Sequence, residues 1–130
     1  MTWTEFKILV GNIKDKEPTE FTGVTDANII ATKQDQAKRD MLLDLQEALR
    51  LDYDAEEFED ILDLHLVRLR EALACKQLYW YFFEKDMGAG TINNERYKYY
   101  AKLYEQQRKL FASLRNNDVT RVSQVLRAVR

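Results

Sequence analysis

The sequence predicts an all-α protein: three main helices, at about residues 26–50, 55–86 and 93–115, in a small bundle with an N-terminal segment and an extended C-terminal tail. Three observations lead there. The 130 residues hold one proline, Pro18, and four glycines, so helix breakers are scarce. Apolar residues recur three and four apart over long stretches, the period of a helix with a buried face. Short polar or glycine runs, "LDYDAEEFED" and "DMGAGTINN", separate those stretches. The length suits one domain. The expected organisation is an N-terminal arm or short docking segment over 1–24, a helical domain over 25–115 and a tail over 116–130.

Residues 1–24 are ambiguous. "FKILVGNI" reads as a short strand, a helical turn or an arm, and "KDKEPTEFTG" as a loop; Trp3, Phe6 and Phe21 need a place to bury. The first main helix starts near Asp26, with Thr25 as N-cap and the Asp26 carboxylate at the positive helix end. Ile30, Ala37, Met41, Leu45 and Ala48/Leu49 form its apolar stripe. Asp54 caps the second helix, with Glu57 three residues on in a capping-box arrangement. Two apolar rows follow. One is Leu62, Leu66, Leu69, Leu73, Trp80 and Phe83; the other is Ile61, Leu64, Ala72, Cys75, Tyr79 and Phe82. Two rows predict a central helix buried on more than one side. Gly88 and Gly90 can take positive φ at its end, and Thr91 or Asn93 caps the third helix. That helix carries Tyr97, Tyr100, Leu103/Tyr104, Leu110/Phe111 and Leu114. The short connection makes the last two helices antiparallel neighbours. The tail "VTRVSQVLRAVR" alternates weakly, is rich in valine, and fits an extended arm, a strand or a short helix.

Five aromatics in a row, Tyr79 to Phe83, are the densest feature of the chain. At about 100° per residue they point nearly all round a helix. Three packed helices cover only part of that circle, so a ring, Tyr81 foremost, is expected to face outward, toward a partner. Charge is polarised as well, although the net value is only −2. Residues 51–63 hold seven acids and no base, whereas 96–130 hold nine bases against Glu105 and Asp118. Helix-dipole complementarity and solvated faces account for part of this. A head-to-tail contact between copies, acidic end to basic end, is the sharper reading.

The sequence predicts no catalytic, cofactor-binding or metal-binding residues, and no enzyme. "GAG" lacks the lysine and the preceding strand of a phosphate loop. No Cys/His set has zinc spacing, and the acids of "DYDAEEFED" miss the calcium-loop register. Cys75 is alone, so no internal disulfide forms, and it reads as a small core residue; His65, the single histidine, reads as structural. No stretch reaches the length of a membrane span. The first residues lack the pattern of a secretory signal, so an intracellular setting is expected.

"LREALACKQLYWYFFEKDMGAGTINNERYKYYAKLYEQQRKLFASL" resembles the helical head-tail connector (adaptor, or head-completion) proteins of tailed bacteriophages and prophages. In that family a helix of similar pattern precedes a short loop and a tyrosine-rich helix. The matching residues are Ala72, Leu73, Ala74, Leu78, Tyr79 and Phe82, then Tyr97, Tyr100, Ala101, Tyr104 and Phe111. "VTDANIIATKQDQAKRDMLLDLQEAL" is similar to the family's opening helix, so the resemblance covers residues 24–115. It implies a structural virion protein of the phage neck, present in the host cytoplasm during assembly. It implies a homo-oligomeric ring, typically of twelve copies, seated beneath the portal protein. Such a ring extends the DNA channel without reading sequence and offers a surface to the next neck or tail component. The interface residues expected are Trp3 and Phe6 in the arm, Tyr81 and Tyr99 as outward rings, and Arg121, Arg127 and Arg130 in the tail. The alternative is a small helical regulatory protein that binds DNA or a nucleic-acid enzyme. It would use bases interleaved with aromatics, such as Arg96, Tyr99 and Lys102.

Overall fold

The computed structural model describes residues 1–21, 33–89 and 94–116. The protein is all-α, and among the described residues there is no strand. Among the described residues its helices are α1 (Val10–Lys14), α2 (Gln34–Leu49), α3 (Glu56–Leu64), α4 (Leu66–Ala89), α5 (Asn94–Arg108) and α6 (Phe111–Asn116). The central element is α4. It packs most extensively against α5 and also contacts α2, α1 and α3.

Helix α2 follows the expected stripe. Ala37, Met41, Leu45 and Leu49, each four residues on from the last, are its buried side chains. It ends at Arg50, which takes the left-handed conformation (φ 56°, ψ 42°) and donates its N–H to the Gln46 carbonyl at 2.8 Å. The expected start at Thr25–Asp26, and Ile30, lie outside the described residues.

The predicted single helix over 55–86 is two helices. The chain bends at His65 (φ −114°, ψ 30°). The backbone ladder almost survives: the His65 N–H donates to the Ile61 carbonyl at 3.0 Å, and the Leu69 N–H to the His65 carbonyl at 2.9 Å. The bend shifts the phase of the apolar pattern. Phe58, Ile61 and Leu62 turn into the core, whereas Leu64, expected in a buried row, is 58% exposed. The N-cap of α3 is Ala55 rather than Asp54, and no side chain caps it. At the far end, α4 runs through Gly88 to Ala89, so Gly88 is helical rather than part of a turn. Gly90, Thr91 and Asn93 lie outside the described residues.

The predicted helix over 93–115 is also divided, at Lys109–Leu110. The Leu110 N–H donates to Gln107 at 2.9 Å, and the Leu110 carbonyl accepts both the Ser113 N–H (3.1 Å) and the Ser113 hydroxyl (2.7 Å). This corner sends α6 against α2. Phe111 and Leu114 are thereby buried, and Leu110, expected in the stripe, is 45% exposed. Arg115 locks the arrangement. Its guanidinium donates to both carboxylate oxygens of Glu57 (2.8 and 3.2 Å) and to the Leu49 carbonyl (2.8 Å). One cation thus meets an acid in the first turn of α3 and a carbonyl left over at the end of α2.

Residues 1–21 are part of the domain. Trp3, Phe6, Ile8, Ile13 and Phe21 all belong to the core. The Trp3 and Phe6 rings stack with centroids 5.1 Å apart, and Trp3 meets the edge of Phe58 at 6.2 Å. Lys38 of α2 donates to the Trp3 carbonyl at 2.7 Å and the Phe6 carbonyl at 2.6 Å. The Ile8 N–H donates to the Gln34 side chain at 2.9 Å.

Candidate interaction surfaces

Helices α4 and α5 run antiparallel, as their ring contacts show. Phe83 meets Tyr97 at 5.3 Å and Phe82 stacks on Tyr100 at 6.0 Å. Further back, the Lys76 ammonium lies 4.7 Å from the centre of the Tyr104 ring. The aromatic run is therefore mostly an internal seam, as helical spacing required.

Four polar ring tips of this seam meet acids brought from elsewhere. Trp80 Nε1 donates to Asp40 at 2.8 Å, and the Tyr104 hydroxyl donates to Asp44 at 2.5 Å; both acids are on α2. The Tyr81 hydroxyl donates to Glu20 at 2.8 Å, and the Tyr100 hydroxyl donates to Glu17, both in the N-terminal segment. Burial, then the bond to a carboxylate, raises the phenols: Tyr81 to about 12, and Tyr100 and Tyr104 well above the usual tyrosine range. Arg96 balances Glu17 and Glu20 at 3.4 and 3.6 Å. Lys85 donates to Glu20 at 2.6 Å, and with Tyr81 it holds the Glu20 carboxyl below its usual value. Sequence reasoning missed these four acids. The available signal was that Asp40 and Asp44 directly precede Met41 and Leu45 of the buried stripe, so they sit at its edge.

The expected interface residues divide into three groups. Trp3 and Phe6, at 7% and 0% exposure, are core residues and not a free arm, because the Phe6 ring stacks on Trp3 and Trp3 packs against Phe58. Tyr81 is half-buried: Phe21 packs on it at 5.2 Å and Glu20 takes its hydroxyl, so the N-terminal segment covers the ring expected to point outward. Tyr99 is 56% exposed. Arg121, Arg127 and Arg130 lie outside the described residues.

Among the described residues, no group of three or more His, Cys, Asp and Glu side chains is placed to hold a metal ion. Cys75 is buried, and desolvation pushes its thiol up to about 11, opposite to the shift that activates a nucleophile. His65 Nε2 lies 3.2 Å from the Leu114 carbonyl and so braces the bend against α6. No helix among the described residues is long and apolar enough to cross a membrane.

Among the exposed large apolar side chains of the described residues, the four most exposed are Val67 (83%) and Leu64 (58%) at the α3–α4 bend, Leu43 (66%) on α2 and Tyr99 on α5. The bend also borders a pocket of about 540 Å3 lined by Asp63, Leu64, His65, Val67, Glu71 and Gln107, among others. Beside it, Glu56, Asp60 and Asp63 are exposed at i, i+4 and i+7 of α3. Sequence periodicity could not single out Leu64 or Val67, because the bend that exposes them is held by α6. Comparison with family models, with curated proteins and with solved structures finds no match to this chain.

Proposed function

We propose that this chain is a structural connector of a tailed-phage neck, a subunit of a homo-oligomeric ring beneath the portal. The reading starts from the pattern of residues 24–115 that resembles the connector family. The structural observation that supports it is the exposure of large apolar side chains on separate helices, Leu43 on α2 and Tyr99 on α5. A ring subunit needs two different surfaces, one for each neighbour, because its contacts are heterologous and must close. A buried aromatic seam gives such a subunit a stiff body, and apolar residues on its outside give it places to pack.

Mass photometry of the protein, alone and mixed with a candidate portal protein, tests the reading. The expected result is a species of ring mass with portal. Leu43→Asp and Tyr99→Ala should abolish that species while leaving a folded monomer. Removal of residues 116–130 should reduce portal binding or ring assembly. A strict monomer that ignores the portal would overturn the proposal. One observation favours the regulatory alternative: Lys98, Tyr99 and Lys102 are exposed together on α5. That reading requires DNA affinity that falls steeply with salt, and no binding at low salt removes it.

A further inference from the structure

Two described surfaces of this chain complement each other in charge and in apolar content. The first is the bend between α3 and α4. Leu64 and Val67 stand uncovered there, beside the pocket that the bend borders. Asp60 and Asp63 rim them, and both are exposed. Asp60 makes no ion pair among the described residues, and Asp63 meets the Met1 amino group at 3.1 Å. The second surface is the outer face of α5. Tyr99 is exposed there, between Lys98 and Lys102, which are exposed and make no ion pair among the described residues. The Tyr99 ring is backed by the edge of Tyr100 at 5.1 Å; Tyr100 is buried and donates its hydroxyl to Glu17.

The charges decide how these surfaces can pair. Acids against acids, or lysines against lysines, repel, so neither surface suits a contact with itself. Each suits the other, which makes the contact heterologous. The spacing agrees as well. Asp60 and Leu64, like Lys98 and Lys102, are about one helical turn apart. In an antiparallel register with Asp60 opposite Lys102, Asp63 comes within reach of Lys98 and Glu56 meets the uncharged Gln106, while the Tyr99 ring falls beside Leu64 and Val67. A parallel register would set Asp63 against Glu105. Leu43 offers no such match, because it lies on α2 between exposed Arg39 and Glu47, of opposite sign.

We propose that the α3–α4 bend of one copy receives the α5 face of a second copy, with Tyr99 over Leu64 and Val67 and with Lys98 and Lys102 against Asp63 and Asp60. A ring held in place on an apolar pair, with charges around it, is the arrangement in which one aromatic carries most of a contact's strength. The charged rim sets the register and makes the contact sensitive to salt. This is the subunit contact that the neck reading needs, and it rests on that reading for closure into a ring.

Sedimentation velocity on the full chain without portal, at up to about 1 mM in low salt, tests this in the range where weak contacts are populated. The expected result is self-association past the dimer, relieved by high salt. Val67→Glu and Tyr99→Ala, both at exposed positions, should each weaken it about tenfold or more with circular dichroism unchanged. Mixed in equal amounts, the two variants should form a dimer and nothing larger, because one keeps the α5 face and the other keeps the bend. A monomer throughout, a wild-type chain that stops at the dimer, variants that associate as well as wild type, or a mixture that stays monomeric overturns the proposal. The two readings fail separately. Ring assembly with a portal that is indifferent to Val67→Glu overturns this contact and leaves the neck reading. Self-association through these two faces by a chain that ignores every portal tested does the reverse.

Discussion

Replacing Phe6 by alanine asks whether the N-terminal segment belongs to the core. Phe6 is fully buried, its ring stacks on Trp3, and Trp3 in turn covers Phe58. Truncating a buried phenylalanine costs about 3–5 kcal/mol, the transfer loss plus the cavity left behind. The Trp3–Phe6 stack, of about 0.5–1.5 kcal/mol, places the expectation in the upper part of that range. Domains have only about 5–15 kcal/mol of stability, so this single change should remove a large share of it. Two Lys38 bonds hold the segment's carbonyls in place, so neighbouring backbone cannot easily collapse into the void. Urea unfolding followed by far-ultraviolet circular dichroism measures the loss as a shift in midpoint. If the segment stays attached, the slope is unchanged; if it peels away first, the slope falls, because less surface is left to expose. A loss below about 1 kcal/mol with an unchanged slope would refute the reasoning and return residues 1–21 to the role of an arm.

Three other outcomes are expected. Tyr104→Phe removes the hydroxyl that donates to Asp44 and should cost about 1.5–3 kcal/mol by chemical denaturation; the double variant with Asp44→Asn should lose less than the sum of the two single losses. Tyr81, Tyr100 and Tyr104 have phenols raised by folding, so their contribution is intact below pH 10, the ordinary tyrosine value, and is lost as pH rises through the folded values, about 12 for Tyr81. Tyrosinate absorbance during alkaline titration should show these three ionising only with unfolding, and the triple phenylalanine variant should lose that coupling. Arg50→Gly removes a side chain from a left-handed residue and should raise stability by about 1 kcal/mol, read as a higher melting temperature; a decrease would mean that the Arg50 side chain matters more than its φ.

The residue pattern by itself determined the helical class, the stripe of α2 and the pairing of α4 with α5. Those features depend on neighbours within one or two helical turns, and spacing encodes them directly. Ala37, Met41, Leu45 and Leu49 are buried for that reason, and Tyr100 and Tyr104 share a face for the same one. The bends at His65 and Lys109–Leu110 were not legible. Each interrupts an apolar row that would continue smoothly as a helix, and the first is braced by the Leu114 carbonyl, 49 residues away. The place of Trp3 and Phe6, and the choice of acids for Tyr81, Tyr100, Trp80 and Tyr104, were decided by tertiary structure alone. Those ring–acid pairs join positions 40 to 83 residues apart, and local periodicity carries no information about such partners. The surface followed from the bends and from the N-terminal segment. The first bend exposed Leu64 and the N-terminal segment covered Tyr81, because burial depends on what each face meets and not only on where the apolar residues recur.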